Sequence, residues 1–301
     1  MFEKGISQNL ILVVILPLAL VCAIFLYAVP NSNFQLNLFA SCQQPALSSH
    51  SNSEPEFKIL IGILTLPEKY ERRQIIRNAY SLQQPAIQNG QIDVRFVFCN
   101  LTTGEQKTFI AMEIMTYRDI IILNCTENMN KGKTYTYFAS LPHMFPGKQR
   151  PYDYAIKSDE DTYFRFNNLV ASLRDKPRED VYWGKGFEPM TTDPKNPPFM
   201  VGMGYAISWD LVDWISTSEF ARNNSEGVED IFVGLWLNIG EKGKNRYDMR
   251  EKLYDFHGEE PKDFPPETIA VHMLKLDFTW AVTLRMFNVT NRLESSRLYH
   301  L

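Results

Sequence analysis

The stretch YAIKSDEDTYFRF, from Tyr154 to Phe166, joins an apolar run directly to three consecutive acids. The acids are Asp159, Glu160 and Asp161, and they stand where a buried strand is expected to end. Neighbouring carboxylates repel one another, and burial removes their hydration, so a bound cation would stabilise them. The alternative interpretation is an ordinary solvated turn. The sequence around the acids bears on this choice.

Three further apolar runs precede this stretch, and helical stretches separate them. The runs are KILIGILT from Lys58, DVRFVFC from Asp93 and DIIIL from Asp119. Runs that are apolar on both faces are typical of parallel strands covered by helices. Pro67 opens the first helical stretch, which follows the first run. This alternation predicts a doubly wound α/β sheet.

The later part of the chain has a mixed pattern. GMGYAIS, beginning at Gly202, predicts a strand with glycines for close approach. EDIFVGLWLNIG, from Glu229 to Gly240, predicts an amphipathic helix that ends at its glycine. KGKNRYD, beginning at Lys242, is interpreted as a basic loop.

The fourth apolar run delivers Asp159 and Asp161 to the carboxyl edge of this sheet, where ligands of open α/β sheets bind. Residues i and i+2 of an extended segment point the same way, so both carboxylates can face one point. Two such groups suit Mg²⁺ or Mn²⁺ with a diphosphate completing the shell. An EF-hand calcium loop is excluded, because Tyr163 and Phe164 follow the acids. This placement favours a metal site over the solvated turn.

Other nucleotide and hydrolase signatures do not occur in the sequence. It has no glycine-rich phosphate loop ending in Gly-Lys-Ser/Thr, no G-x-G-x-x-G after the first strand and no G-x-S-x-G elbow. The remaining possibility is a nucleotide that is bound through a metal ion. The net charge of −4 gives no electrostatic footprint for a nucleic-acid partner, so we expect none.

Residues 10–29 form an uncharged apolar run, LILVVILPLALVCAIFLYAV. At ~1.5 Å per residue it reaches ~30 Å, the thickness of a hydrocarbon core, which favours an uncleaved anchor over a cleaved signal peptide. Lys4 precedes the run and the next Lys or Arg is Lys58, so residues 1–9 are predicted to be cytosolic and the rest lumenal. Residues 30–56 are predicted to form a flexible stem and residues 57–301 the catalytic domain.

The cysteines and the sequons bear on the same topology. Cys99 and Cys125 each end a predicted strand, so they are expected either to pair in a lumenal disulfide or to stay as two buried thiols. Cys42, in the stem, either pairs between chains in a homodimer or stays free. Four Asn-x-Ser/Thr sequons fit a lumenal glycoprotein, and they begin at Asn100, Asn124, Asn223 and Asn288.

Seven segments, in order, resemble glycosyltransferase family 31, the β-1,3-galactosyltransferase-type family. The similar segments are ERRQIIRNAY, FVF, YRDIIILNCTENMNKGKT, KSDEDTYF, YWGKG, PFMVGMGYAISWDLV and EGVEDIFVG. The tail, span and stem also resemble the family's Golgi type II layout. The resemblance implies a GT-A fold, a Rossmann-like mixed sheet flanked by helices that uses a UDP-sugar and Mn²⁺.

The resemblance also implies roles for individual residues. Asp161 would bind the metal directly, and His272 would be a further metal ligand. Asp159 would either contact the metal through a water molecule or hold the donor ribose. Asp230 matches the family's catalytic carboxylate, with Glu229 as the neighbouring candidate base. Four basic residues are candidates for binding the sugar-nucleotide donor: Arg73, Arg77, Lys133 and Lys157. The alternative for the two arginines is that they pair with acids on their own surface.

The implied activity is inverting transfer of galactose from UDP-galactose to a glycan or glycoprotein acceptor in β-1,3 linkage. UDP-N-acetylglucosamine is the alternative donor. An alternative of a different class is a membrane-anchored glycan-binding protein that has lost turnover, and a nucleotide-sugar hydrolase is a third. The presence of Asp159, Asp161, Asp230 and His272 favours the enzyme.

Overall fold

The structure is a computed structural model of the chain, and it describes residues 57–84, 87, 90–145, 147, 150–189, 197–257 and 264–291. All of these belong to one compact unit, from Ser53 to Leu301. The predicted tail, anchor and stem, with Cys42, lie outside the described residues. Across the described ranges, no helix is both long enough and apolar enough to cross a membrane.

The main sheet of the described part has seven strands in the order β3-β2-β1-β4-β7-β6-β8. Strands β3, β2, β1 and β4 are mutually parallel, β7 is antiparallel to both β4 and β6, and β8 is parallel to β6. The strands are β1 (Phe57–Leu64), β2 (Gly90–Phe98), β3 (Ile120–Ile122), β4 (Tyr154–Asp159), β6 (Val181–Phe187), β7 (Phe199–Ser208) and β8 (Asn245–Asp248). The sheet is therefore mixed, with a parallel half that matches the predicted alternation.

Helices cover both faces of this sheet. They are α1 (Tyr70–Ser81), α2 (Gly104–Tyr117), α3 (Lys133–Met144), α4 (Phe166–Arg174), α5 (Trp209–Thr217), α6 (Glu219–Asn223), α7 (Glu229–Ile239) and α8 (Asp277–Met286). Side chains alternate along a strand, so Ile59 and Ile61 of β1 join one apolar cluster while Leu60 and Leu64 join the other. Burial on both faces explains the near-continuous apolar run of β1 in the sequence.

A second sheet of three strands lies beside the main one. Its order is β5-β10-β9, with β5 (Tyr163–Phe164), β9 (Leu253–Asp255) and β10 (Ala270–His272). Strand β10 is antiparallel to β5 and parallel to β9. Because β5 directly follows the acids, this pairing brings the end of β10 back to the end of β4.

Several elements predicted from the sequence are confirmed, and two differ. The four parallel strands, the strand through Gly202 and the helix beginning at Glu229 are present. The first helix begins at Tyr70 and not at Pro67. The predicted basic loop from Lys242 contains strand β8, because its second half pairs with the outer edge of β6.

Cys99 and Cys125 form a disulfide, which confirms the paired alternative. Cys99 directly follows β2, and Cys125 lies in the segment after β3. The strands are parallel neighbours, so their ends lie at the same edge of the sheet. The bridge fixes the start of the loop that leads to α3.

Candidate functional site

The end of β4 and the end of β10 bring together three side chains of types that can bind a metal ion. Asp159 is the last residue of β4, Asp161 lies in the following turn, and His272 ends β10. One ligand atom from each residue lies within 4.8 Å of the others. His272 Nε2 lies 3.3 Å from Asp161 Oδ1 and 4.0 Å from Asp159 Oδ2. The carboxylates converge through a turn, and not along one extended segment as the sequence suggested.

Backbone contacts hold this turn against β10. The Thr162 amide donates to the Asp159 carbonyl at 3.3 Å, and the Leu274 amide donates to the Asp161 carbonyl at 2.9 Å. The relative positions of the two acids and the histidine therefore depend on main-chain hydrogen bonds as well as on side-chain packing.

The charges of these groups depend on one another. Burial would raise the pKa of Asp161, but hydrogen bonding and attraction to His272 outweigh it and lower the pKa. Burial would lower the pKa of His272, but hydrogen bonds with Asp161 and Asp255 outweigh it and raise the pKa. Two carboxylates and one imidazole form a donor set that suits a divalent transition metal such as Mn²⁺. The residues present therefore fit a metal ion.

Two of the three ligand candidates, Asp159 and Asp161, line a cavity of about 530 Å³. The carboxyl ends of β1 and β4 line it. The chain runs outward from β1 through β2 to β3 and then returns to β4 on the other side of β1. Such a switch point is where open α/β sheets bind ligands. Charged side chains on the cavity wall are Lys69, Arg72, Glu127, Lys133, Asp159, Glu160, Asp161 and Lys275.

Lys157 connects the acid turn to α7. Its side chain is 1% exposed, and its ammonium donates to Asp159 Oδ1 at 2.8 Å, the Gly202 carbonyl at 2.7 Å and Glu229 Oε1 at 2.5 Å. Burial would lower the pKa of Lys157, but the two carboxylates outweigh it, and the net shift is upward. The ammonium therefore stays charged and occupies acceptors of the protein itself.

Glu229 and Asp230 begin α7 but face different surroundings. Glu229 accepts from Lys157 and from the Tyr205 hydroxyl, the latter at 3.1 Å. Burial raises the pKa of Glu229, and Lys157 acts in the opposite direction. Asp230 accepts only from the backbone in the contacts described, from Gly202 N at 3.1 Å and Ile231 N at 2.9 Å. Backbone amides therefore orient Asp230, and its contacts in the described part of the chain include no salt bridge.

Lys133, a predicted donor-side residue, lines the cavity but is already engaged. Its buried ammonium donates to the Thr65 carbonyl at 2.7 Å and forms a short contact with Glu127. Burial lowers the pKa of Lys133, with Glu127 opposing the shift. Glu127 also accepts from the Cys99 amide at 2.6 Å, so the disulfide and this ion pair hold the same loop.

Arg73 and Arg77, two of the predicted donor-side candidates, are not among the residues that line this cavity. Arg73 is fully buried and bonds Glu113 and the Leu66 and Pro67 carbonyls. Arg77 pairs with Glu113 at 2.7 Å and with Asp119 at 2.8 Å. The alternative that they pair with acids on their own surface describes the structure.

Arg72 and Glu127 line the cavity but were missed from the sequence. Arg72 bonds the Leu274 and Lys275 carbonyls at 2.8 and 2.7 Å, and so holds the segment that follows His272. The periodicity of α1 could have indicated Arg72. Arg73, Ile76 and Tyr80 share the buried face of the helix, so the neighbouring Arg72 lies off that face. Glu127 sits in an irregular loop, where periodicity carries no information.

The family model described as galactosyltransferase matches residues 71–241 of this chain. The chain belongs to this galactosyltransferase family. The match spans α1 through α7, and so includes the acid turn, Lys157, Glu229 and Asp230. It ends before β10, so His272 lies outside the matched residues. The family resemblance seen in the sequence is confirmed.

Curated proteins of this galactosyltransferase family are similar over much of the chain. "Beta-1,3-galactosyltransferase pvg3" of Schizosaccharomyces pombe is 22% identical over 256 residues, 69% of this chain and 66% of its own length. "Beta-1,3-galactosyltransferase 6" of Mus musculus is 24% identical over 212 residues, 63% of this chain and 63% of its own. The chain thus matches about two thirds or less of the length of these relatives.

Solved structures of other glycosyltransferases also align with this family member. The galactosyltransferase LgtC in complex with donor and acceptor sugar analogues aligns at a TM-score of 0.47, with 11% identity, over 79% of this chain and 97% of that one.

Proposed function

We propose that this protein is an inverting, Mn²⁺-dependent glycosyltransferase of the GT-A type. It transfers a hexose from a UDP-sugar to a hydroxyl of a glycan or glycoprotein in β-1,3 linkage. The observation that carries the proposal is the Asp159, Asp161 and His272 group, whose two acids line a cavity of about 530 Å³ at the switch point of the sheet. Membership of the galactosyltransferase family supports it.

Asp159, Asp161 and His272 would hold the ion. A bound Mn²⁺ would offset the negative charge of the departing diphosphate. Lys69, Arg72 and Lys275 place positive charge on the same cavity wall. A UDP group fits this wall, because its diphosphate is anionic and would be attracted to the three cationic side chains and the metal ion.

Asp230 is proposed as the general base. The acceptor hydroxyl oxygen attacks the anomeric carbon of the donor, the bond from that carbon to the diphosphate oxygen breaks, and the hydroxyl proton passes to Asp230. Asp230 suits this role better than Glu229, because Lys157 and Tyr205 already occupy the Glu229 carboxylate. Backbone amides on both Asp230 oxygens fix its orientation. One displacement without an enzyme nucleophile inverts the anomeric centre.

The names of the relatives support galactose as the first candidate donor sugar. Those of fission yeast and mouse given above are named β-1,3-galactosyltransferases. A "Lactosylceramide 1,3-N-acetyl-beta-D-glucosaminyltransferase" of Rattus norvegicus is 23% identical over 206 residues, which keeps N-acetylglucosamine as the second candidate. The shared β-1,3 linkage in these names supports the proposed linkage.

A single-pass type II placement in the Golgi membrane completes the proposal, with residues 10–29 as the anchor and the catalytic part in the lumen. The uncharged apolar run and the cysteine pair support this placement. Pairing of Cys42 into a homodimer stays a prediction.

The experiment is UDP release by the purified full-length chain from a panel of UDP-sugars, with Mn²⁺ or with EDTA. Asp161→Ala is the test variant. Asp175→Asn, an exposed acid after α4, is the matched control for loss of one carboxylate. We expect metal-dependent release from one sugar, abolished in Asp161→Ala and retained in Asp175→Asn. Equal release by wild type and Asp161→Ala would contradict the metal site.

A second arm adds a panel of glycan acceptors. A transferase releases UDP faster with a suitable acceptor and forms a disaccharide linkage that mass spectrometry and NMR identify. A hydrolase releases UDP at the same rate without any acceptor. A protein that binds UDP-sugar and Mn²⁺ but turns over none of the panel would be a glycan-binding relative without activity.

A further inference from the structure

A lysine and a carboxylate lie behind the histidine of the proposed metal group, which consists of Asp159, Asp161 and His272. Asp255, at the end of β9, lies directly beside His272 in the register of the two parallel strands. Asp255 Oδ1 is 2.7 Å from His272 Nδ1, and Asp255 Oδ2 is 2.5 Å from Lys185 Nζ on β6. We propose that Asp255 and Lys185 are positioning residues that fix the imidazole of His272 for metal binding. The assignment rests on the proposed metal-dependent function.

The geometry fixes which ring nitrogen faces the metal group. A neutral imidazole carries one N–H and one free lone pair. An ionised Asp255 can only accept, so in the neutral ring the proton is on Nδ1 and the lone pair is on Nε2, which faces Asp161 and Asp159. Histidines that bind metals usually donate their other N–H to a carboxylate or a carbonyl, and this partner sets the tautomer and the ring orientation. His272 with Asp255 meets that description.

Lys185 fixes the carboxylate in turn. Asp255 has two oxygens, and each has its own partner, so rotation of the carboxylate would break one of two close contacts. Lys185 comes from the main sheet, whereas Asp255 and His272 come from the small sheet. The ion pair therefore links the two sheets directly behind the metal group. Its side chains are only 23% and 24% exposed, which limits competition from water.

This arrangement differs from the other acids on neighbouring strands. Asp248, on β8, accepts from the Gly186 amide at 2.8 Å and pairs with Arg250, and none of its described contacts reaches His272. Asp248→Asn is therefore a matched control: it removes a carboxylate charge that contacts Gly186, the residue after Lys185, without touching the histidine.

The test measures Mn²⁺ affinity of the metal-free full-length chain, by titration and by the electron paramagnetic resonance signal of free Mn²⁺. Loss of a partner behind a metal ligand typically weakens metal binding about 10–100-fold, and we expect at least about 10-fold for Asp255→Ala. Asp255→Asn keeps an oxygen that accepts from Nδ1, so it should lose much less. Lys185→Met should weaken binding to an intermediate extent, and Asp248→Asn should match wild type.

A double-mutant cycle separates positioning from a general effect on the fold. In a His272→Ala background, Asp255→Ala should weaken Mn²⁺ binding no further, because Asp255 acts through the missing ring. The nitrogen coupling of bound Mn²⁺, seen by pulsed resonance, should vanish in His272→Ala and weaken in Asp255→Ala.

Four results would overturn the assignment. Equal Mn²⁺ affinity and unchanged nitrogen coupling in wild type and Asp255→Ala would refute it alone, as would full additivity in the cycle. If Asp255→Ala does not fold, wild-type affinity in Lys185→Met would refute the role of the pair. Absence of Mn²⁺ binding by the folded wild type would instead overturn the proposed function and this assignment together.

Discussion

Replacement of Lys157 by methionine tests the most buried ion pair of the site. The substitution preserves the length of the side chain but removes three hydrogen bonds, to Asp159, Gly202 and Glu229. Breaking a buried pair by removing one partner costs about 3–5 kcal/mol, because the remaining charge stays buried and unpaired. Asp159 is 31% exposed and regains water, whereas Glu229 is only 11% exposed. We therefore expect the low end, about 3 kcal/mol, mostly from Glu229.

The assay is urea unfolding of the metal-free protein at pH 7, followed by tryptophan fluorescence. A loss of about 3 kcal/mol in the free energy of unfolding corresponds to a fall of about 6–12 °C in Tm for a chain of this size. In a Glu229→Gln background, Lys157→Met should cost about 1–2 kcal/mol less, since no unpaired carboxylate remains on α7. A stability within 1 kcal/mol of wild type, or strict additivity of the two substitutions, would refute this account.

Three further predictions follow from the contacts of the described part. Glu113→Gln should destabilise the fold at pH 7 and make its stability depend less on pH in acid. Burial would raise the pKa of Glu113, but Arg73 and Arg77 lower it overall, so the carboxylate stabilises the fold above about pH 4.5 and this contribution is lost as the pH falls through the lowered pKa. Circular dichroism against pH checks this, and the KM for the donor should stay at the wild-type value. Removing the disulfide through Cys99→Ala with Cys125→Ala should cost about 3–4 kcal/mol of unfolding free energy in urea titrations. Asp230→Asn should lower kcat by about 10²–10⁴ while Mn²⁺ affinity stays unchanged, and a kcat within twofold of wild type would contradict the proposed base.

Strands β1 and β4 of the parallel half were predictable because they are buried on both faces. Burial on both sides favours apolar residues at successive positions, and β1 shows this from Ile59 to Leu64. Strand β8 was missed for the opposite reason. It lies at the edge of the sheet and its residues are only partly buried, so the sequence NRYD shows no apolar alternation.

The metal group was only partly predictable. Two acids after an apolar strand carry a local signal, so Asp159 and Asp161 could be found from their neighbours. Asp255 precedes His272 by 17 residues, and only the pairing of β9 with β10 places them side by side. A partner that depends on the register of two strands far apart in sequence leaves no pattern in the sequence. For the same reason His272 was found through family resemblance and not through spacing.

Gly202 shows how closely the metal side and the base side of the site are joined. Its carbonyl accepts from Lys157, and its amide donates to Asp230. A Cβ at this position would lie 2.7 Å from Glu229 Oε1 and 3.2 Å from Lys157 Nζ. Glycine is therefore required for close approach, as the strand pattern predicted, and not for an unusual backbone angle. Because Lys157 also donates to Asp159, one residue of β7 connects the proposed metal ligand Asp159 to the proposed base Asp230 through hydrogen bonds.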